Sequence, residues 1–252
     1  PVYDTVKEIM AKERVDGSVI TVPAPFVRDA AFEAIENGIK LIVIVTERTP
    51  RYEVAQLLEL ARERGTRVIG PNCLGIISPG KAKMGGIGGP AANTRQAYNP
   101  GRIGVMSRSG GMTTEISNSL TAAGLGQSTA VSIGGDPLIG TTYAELMPLF
   151  EADTDTDAIV IYTEPGGPMD AQLSLWVKEH KSRLPIVAFM AGRFMDKMPG
   201  MRFGHAGTIV EGKSDTAAEK LLRLEEAGIS VAEEIGDIPD LVKARLKAIG
   251  KA

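Results

Sequence analysis

Cysteine is almost missing from this chain of 252 residues; Cys73 stands alone. A single thiol excludes an internal disulfide framework and points to a reducing compartment. Aromatic residues make up only 5% of the chain, and the one tryptophan, Trp176, follows the apolar spacing of its helix, which reads as packing. Neither charge sign dominates: 28 Lys and Arg face 31 Asp and Glu, for a net charge of -3. No basic field therefore favours nucleic acid, and no polybasic cluster suggests a membrane surface. Long apolar runs are also missing. Stretches such as Ile39–Val45 are far too short to span a bilayer. With no signal-peptide pattern ahead of them, the expected location is the cytoplasm. The chain opens on Pro1 and a helical pattern starts almost at once at Asp4, which reads as a chain entered partway.

What is present is a soluble α/β composition, 43% hydrophobic and 23% charged, with room for two α/β units. Short apolar runs at Ser18–Thr21, Leu41–Val45, Arg67–Ile69, Ile103–Met106, Thr129–Ile133, Ala158–Tyr162, Ile186–Met190 and Ser230–Ala232 read as strands. Amphipathic segments lie between most of them, at 27–37, 51–64, 111–123, 141–150, 169–181 and 215–227, and another follows at 239–248. Such alternation predicts βαβ units and parallel sheets covered by helices. A Gly/Pro-rich stretch from Gly70 to Gly101 predicts a boundary near residue 95, giving units 1–95 and 96–252, both doubly wound and the first incomplete.

Open parallel sheets bind ligands at the carboxyl ends of their strands, where loops lead into helix N-termini. Four such loops stand out: Val22–Pro25, Thr46-Glu47, Gly70–Cys73 and Ser107–Gly111. The last opens an amphipathic helix with small residues, leaving backbone N–H groups free to face an anion. Only two histidines occur. His205 sits in Phe203-Gly204-His205-Ala206-Gly207, where a large charged group could approach the ring. A neutral imidazole can attack phosphorus and carry a phosphoryl group. The other, His180, ends a helical stretch and suits a C-terminal capping role.

One motif points elsewhere. Gly207–Ser214 fits the phosphate-loop pattern G-x-x-x-x-G-K-[ST]. Its mechanism needs a strand ending at the first glycine, yet 198–206 is broken by glycine and proline and the loop interior is apolar. It reads as a chance match.

Several motifs together resemble one family. Ser107-Arg108-Ser109-Gly110, Ile133–Pro137, Glu164 with Gly166-Gly167, and Gly204–Gly207 occur in the order and rough spacing of the succinyl-CoA synthetase alpha subunit. Gly124–Thr129 and Gly70–Cys73 fit as well, so the resemblance covers nearly the whole chain. It implies a Rossmann-like CoA-binding domain lacking its first βα unit, followed by a flavodoxin-like ligase domain. By the resemblance, His205 becomes the phosphorylated nucleophile, Glu164 its carboxylate partner, and Ser109 and Gly110 the phosphate-binding helix mouth. Val45, Thr46 and Glu47 match the CoA-contacting loop, with Pro23, Pro25, Asn72 and Cys73 beside it. Read by itself, Cys73 is a small buried hydrophobe.

The resemblance further implies a beta subunit with an ATP-grasp domain supplying ATP or GTP and magnesium, with no metal ligand on this chain. It implies a dicarboxylate or tricarboxylate substrate and a place in the tricarboxylic acid cycle. Some positions depart from the succinate enzymes. Gly111 stands where they carry threonine, Thr114 where they carry a substrate-side tyrosine, and Pro165 where an aliphatic residue is usual. Ser107–Met112 and Phe203–Gly207 resemble ATP-citrate lyase and citryl-CoA synthetase more, and malate–CoA ligase is a further relative. Succinate is the first expectation, with citrate and malate as alternatives. Readings from other classes are a phosphate-loop NTPase using Lys213 and a CoA-sensing module without chemistry.

Overall fold

A computed structural model describes residues 1–251. After the short helix α1 (Val6–Met10), three parallel strands, β1 (Gly17–Ile20), β2 (Leu41–Ile44) and β3 (Arg67–Ile69), form a sheet in that order. Helices α2 (Val27–Glu36) and α3 (Arg51–Arg64) make the crossovers. Helix α3 buries Val54, Leu57 and Ala61, three and four residues apart, and stops at Gly65, whose φ of 64° an L side chain rarely adopts.

The second sheet begins earlier than the sequence suggests. β4 (Gly75–Ser78) and β5 (Ala82–Met84) form an antiparallel hairpin that adds to it, so sheet membership changes between Ile69 and Gly75 rather than near 95. Glycine here is not a linker signal but a packing requirement. A side chain on Gly75 would place its Cβ 2.0 Å from the Met84 carbonyl oxygen. The one-turn helix α4 (Ala91–Thr94) then leads to β6 (Pro100–Ser107). Beyond it the chain alternates regularly: α5 (Gly110–Ala122), β7 (Gln127–Ser132), α6 (Tyr143–Ala152), β8 (Ala158–Thr163), α7 (Met169–His180), β9 (Ile186–Met190), α8 (Ala217–Glu226), β10 (Ser230–Ala232) and α9 (Ile238–Ala248).

The seven strands lie in the order β10-β9-β8-β6-β7-β4-β5, and the first five are parallel. That is the flavodoxin-like winding, reversing direction between β6 and β8. Central β8 is buried along all six residues, Ala158 to Thr163, as a strand covered on both faces should be. One apolar core unites the two sheets, with Val43, Ile69 and Cys73 packing with Met106, Val131 and Ile161. No helix among the described residues is long and apolar enough to cross a membrane.

Candidate active site

Residue Ser107 of β6 pairs with Tyr162 of β8. Ser109 and Glu164 therefore each lie two residues past the paired ends of neighbouring strands, at the point where the winding reverses and open sheets leave a crevice. Ser109 caps α5: its Oγ accepts from the Met112 N–H at 3.3 Å, and its own N–H donates to Ser107 Oγ at 3.1 Å. Gly110 follows without a side chain because Leu74 fills that space, 2.3 Å from where a Cβ would stand.

The His205 ring meets Glu164, with Nδ1 and Oε2 2.8 Å apart. Thr208 Oγ1 donates to the same oxygen at 3.0 Å, and the Tyr162 hydroxyl donates to Oε1 at 3.1 Å. Glu164 is 8% exposed, whereas a quarter of the His205 side chain faces solvent. Burial pushes the Glu164 carboxyl up, but the hydrogen bond and charge of His205, the charge of Arg108 and the Thr208 hydroxyl outweigh it and hold the group below its ordinary value. The Nε2 atom makes no hydrogen bond among the described residues. The ring rests on Gly135, where a Cβ would come within 2.4 Å of Cδ2.

Arg108 is 2% exposed and fixes that floor. Its guanidinium donates to the carbonyls of Gly134, Gly135 and Asp136 at 3.4, 3.2 and 2.9 Å. A Cβ on Gly207 would lie 2.5 Å from it, so the loop after His205 sits directly on this cation.

The residues matched to CoA gather at the carboxyl ends of β1, β2 and β3. Thr46 Oγ1 donates to the Val22 carbonyl at 2.6 Å, and the Asn72 N–H donates to the Thr46 carbonyl at 3.1 Å. Val45 is half-buried against the shared core, and Pro23 and Pro25 start the turn into α2. Glu47 stays exposed beside Arg48. Asn72 Nδ2 donates to Asp136 Oδ1 at 3.0 Å, joining this region to the floor of the histidine site. A cavity of about 260 Å³ lies between them, lined by Glu47, Asn72, Asp136, Gly204 and Ala206. Another of about 450 Å³ opens beside Arg108, Gly167, Arg202 and Gly207. A larger one, about 620 Å³, lies away from these residues between Lys40, Arg67 and Thr141.

Cys73 is a packed thiol. It donates to the Ile44 carbonyl, and burial pushes its pKa up to about 12, so it offers a wall and no nucleophile. The Thr114 hydroxyl bonds the buried Tyr98 hydroxyl at 2.9 Å, and no bond connects it to His205 or Glu164. Lys213 lies 87% exposed beside Glu219, in a segment with only one isolated antiparallel bridge, Arg202 to Ile209, where a phosphate loop needs a strand. His180 stacks on Trp176 and contacts its carbonyl at 2.9 Å. Tyr162, Thr208 and the Arg108 side chain acquire roles that sequence reasoning did not give them. Arg108 and Gly135 did lie inside motifs that stood out.

Comparisons with known proteins give the family. The family described as CoA-ligase matches residues 106–230, and the CoA binding domain matches residues 1–48. The succinate–CoA ligase [ADP-forming] subunit alpha 1 of Archaeoglobus fulgidus is 42% identical over 98% of this chain and 81% of its own length. The malate–CoA ligase subunit alpha of Methylorubrum extorquens is 39% identical over 96% of this chain and 80% of its own. Among solved structures, ATP citrate lyase from Methanothrix soehngenii in complex with citrate and coenzyme A superposes with a TM-score of 0.93 at 26% identity. That match covers 99% of this chain and 42% of that one. A doubly wound ligase domain behind a CoA-binding domain defines an acid–thiol ligase. Within that class, the chain belongs to the family of succinate–CoA ligase alpha subunits, which form a nucleoside diphosphate.

Proposed function

We propose that His205 carries the phosphoryl group in the synthesis of an acyl-CoA. The observation that supports this reading most is the 2.8 Å contact between Glu164 and Nδ1. A carboxylate accepting from Nδ1–H holds the neutral tautomer that leaves the Nε2 lone pair outward, and it stabilises the ring as positive charge develops. Nε2 attacks the terminal phosphorus of a nucleoside triphosphate and the diphosphate leaves. A carboxylate oxygen of the substrate then takes the phosphoryl group, restoring the imidazole and forming an acyl phosphate. The CoA sulfur, as thiolate, attacks the acyl carbon, the C–O bond breaks, and inorganic phosphate departs. Three easier displacements replace one difficult condensation.

The helix mouth that Ser109 caps supplies the Gly110 N–H, which makes no hydrogen bond among the described residues, and partial positive charge for the moving phosphoryl group. Val45, Thr46, Glu47, Pro23, Pro25 and Asn72 bind CoA, and Cys73 supports that wall from within. The cavity between Glu47 and the His205 loop fits a route by which the thiol end reaches the site. A beta subunit with an ATP-grasp domain provides ATP or GTP with magnesium, and the enzyme works in the cytoplasm. The acid is a small dicarboxylate, succinate in the first place because relatives 41–43% identical carry that name.

The test is to coexpress the chain with its beta subunit and supply γ-labelled ATP. Wild type gains an acid-labile label and His205→Asn gains none; equal labelling of both ends the proposal. CoA-dependent release of ADP with succinate, malate or citrate then identifies the acid.

A further inference from the structure

The most deeply buried lysine lies under the active-site turn, and the chemistry above leaves it unused. Lys220 of α8 has no solvent exposure. Its ammonium donates to the Glu164 carbonyl at 3.2 Å, to the Gly166 carbonyl at 2.6 Å and to the Asp170 carboxylate. The two carbonyls belong to the turn from β8 to α7 and Asp170 to the first turn of α7, and together the three acceptors use the three donors a lysine has. The second Asp170 oxygen accepts from the Thr163 hydroxyl, closing the network on the end of β8.

From above, the same turn touches the histidine loop. A Cβ on Gly166 would stand 2.8 Å from the Gly207 carbonyl and 2.6 Å from that of Ile209. The turn is held between Lys220 on one side and residues 205–209 on the other. A buried ion pair of this kind is often no more stabilising than apolar side chains of the same volume, so stability does not explain it. What the pair fixes is the height of the Glu164 backbone, and hence where its carboxylate meets the ring.

We infer that Lys220, with Asp170, is a positioning residue that sets Glu164 against His205 and thereby selects the Nδ1–H tautomer. This deepens the phosphohistidine reading and rests on it. The two ideas separate experimentally, because the tautomer can be read without turnover.

With only two histidines in the chain, ¹⁵N-histidine labelling of this chain alone, combined with unlabelled beta subunit, gives two sets of ring signals, and His180 serves as an internal control. The double variant Lys220→Met/Asp170→Asn removes the charge pair without stranding one partner. We expect the His205 signals to move toward the Nε2–H form while those of His180 stay. We also expect labelling by γ-labelled ATP to slow roughly 10–100-fold, the usual range when a residue that orients a reacting ligand is removed, with the KM for CoA unchanged. If the double variant does not fold, Lys220→Gln, which keeps fewer donors, must shift the same signals in the same direction. A folded variant with wild-type His205 signals and wild-type labelling overturns the inference. Labelling that survives in His205→Asn overturns instead the reading beneath it.

Discussion

At position 205, one face of the imidazole rests on a residue with no side chain and one edge meets a carboxylate. The first contact predicts that Gly135→Ala displaces the ring, since a methyl group would overlap Cδ2 and Cγ. Phosphorylation should fall by about tenfold or more, given how steeply reactivity depends on placement, with the circular dichroism spectrum unchanged; a fully labelled variant would falsify this account of the floor. The second contact predicts that Glu164→Gln slows labelling roughly 10–100-fold, because an amide neither fixes the tautomer nor balances the developing charge. It carries a pH signature too. The folded carboxyl titrates lower than in the unfolded chain, despite burial, because His205, Arg108 and Thr208 favour the ionised form. Its contribution to stability is complete above the ordinary glutamate value of about 4.3 and drains away as pH falls through the lower folded value. Melting curves of Glu164→Gln should therefore lose less on acidification than those of wild type. Two curves of the same shape would count against the pairing. His205 drew attention in the sequence because small neighbours leave its ring open to a charged group, and Glu164 entered through the family resemblance. Thr208, Tyr162 and Lys220 were not legible there. Lys220 looks like any charged residue on an amphipathic helix, and only the packing of α8 beneath the turn makes it internal.

Among the elements, the βα units announced themselves through alternating apolar runs and helical stripes; β3, β9 and β10 have the bounds expected of them from the sequence. The hairpin of β4 and β5 did not. Its strands are four and three residues long, sit inside a glycine-rich stretch, and join the larger sheet through the pairing of β4 with β7, which lies some fifty residues further on. Local pattern carries no information about such a partner. Helix α6 shows the opposite case. Thr142 and Glu145 close a reciprocal capping box, with Glu145 Oε2 accepting from the Thr142 N–H at 2.8 Å. Thr142→Ala should cost about 1 kcal/mol, measurable by urea unfolding, while leaving labelling of His205 intact. No loss of stability would show that the box contributes nothing.

Across the whole molecule, the shared core is the deciding feature, for Val43 and Ile69 of the three-stranded sheet pack into it, while Ile20, Ile42 and Val68 form a cluster of their own with α2 and α3. Unfolding should be cooperative across both sheets. Cys73 reports on this directly, since its thiol lies in that core and burial suppresses its ionisation. In native buffer near pH 8 it should resist a thiol reagent. In urea its reactivity should rise together with the loss of helical signal; reactivity that appears well before that loss would mean the first sheet opens on its own.

The outermost strands of the larger sheet, β5 and β10, are each three residues long. So short a border offers few free backbone groups for a neighbouring chain to continue the ladder, and β5 also presents a lysine, Lys83, along it. A seven-stranded surface that could have templated fibrous stacking is thus closed at both margins.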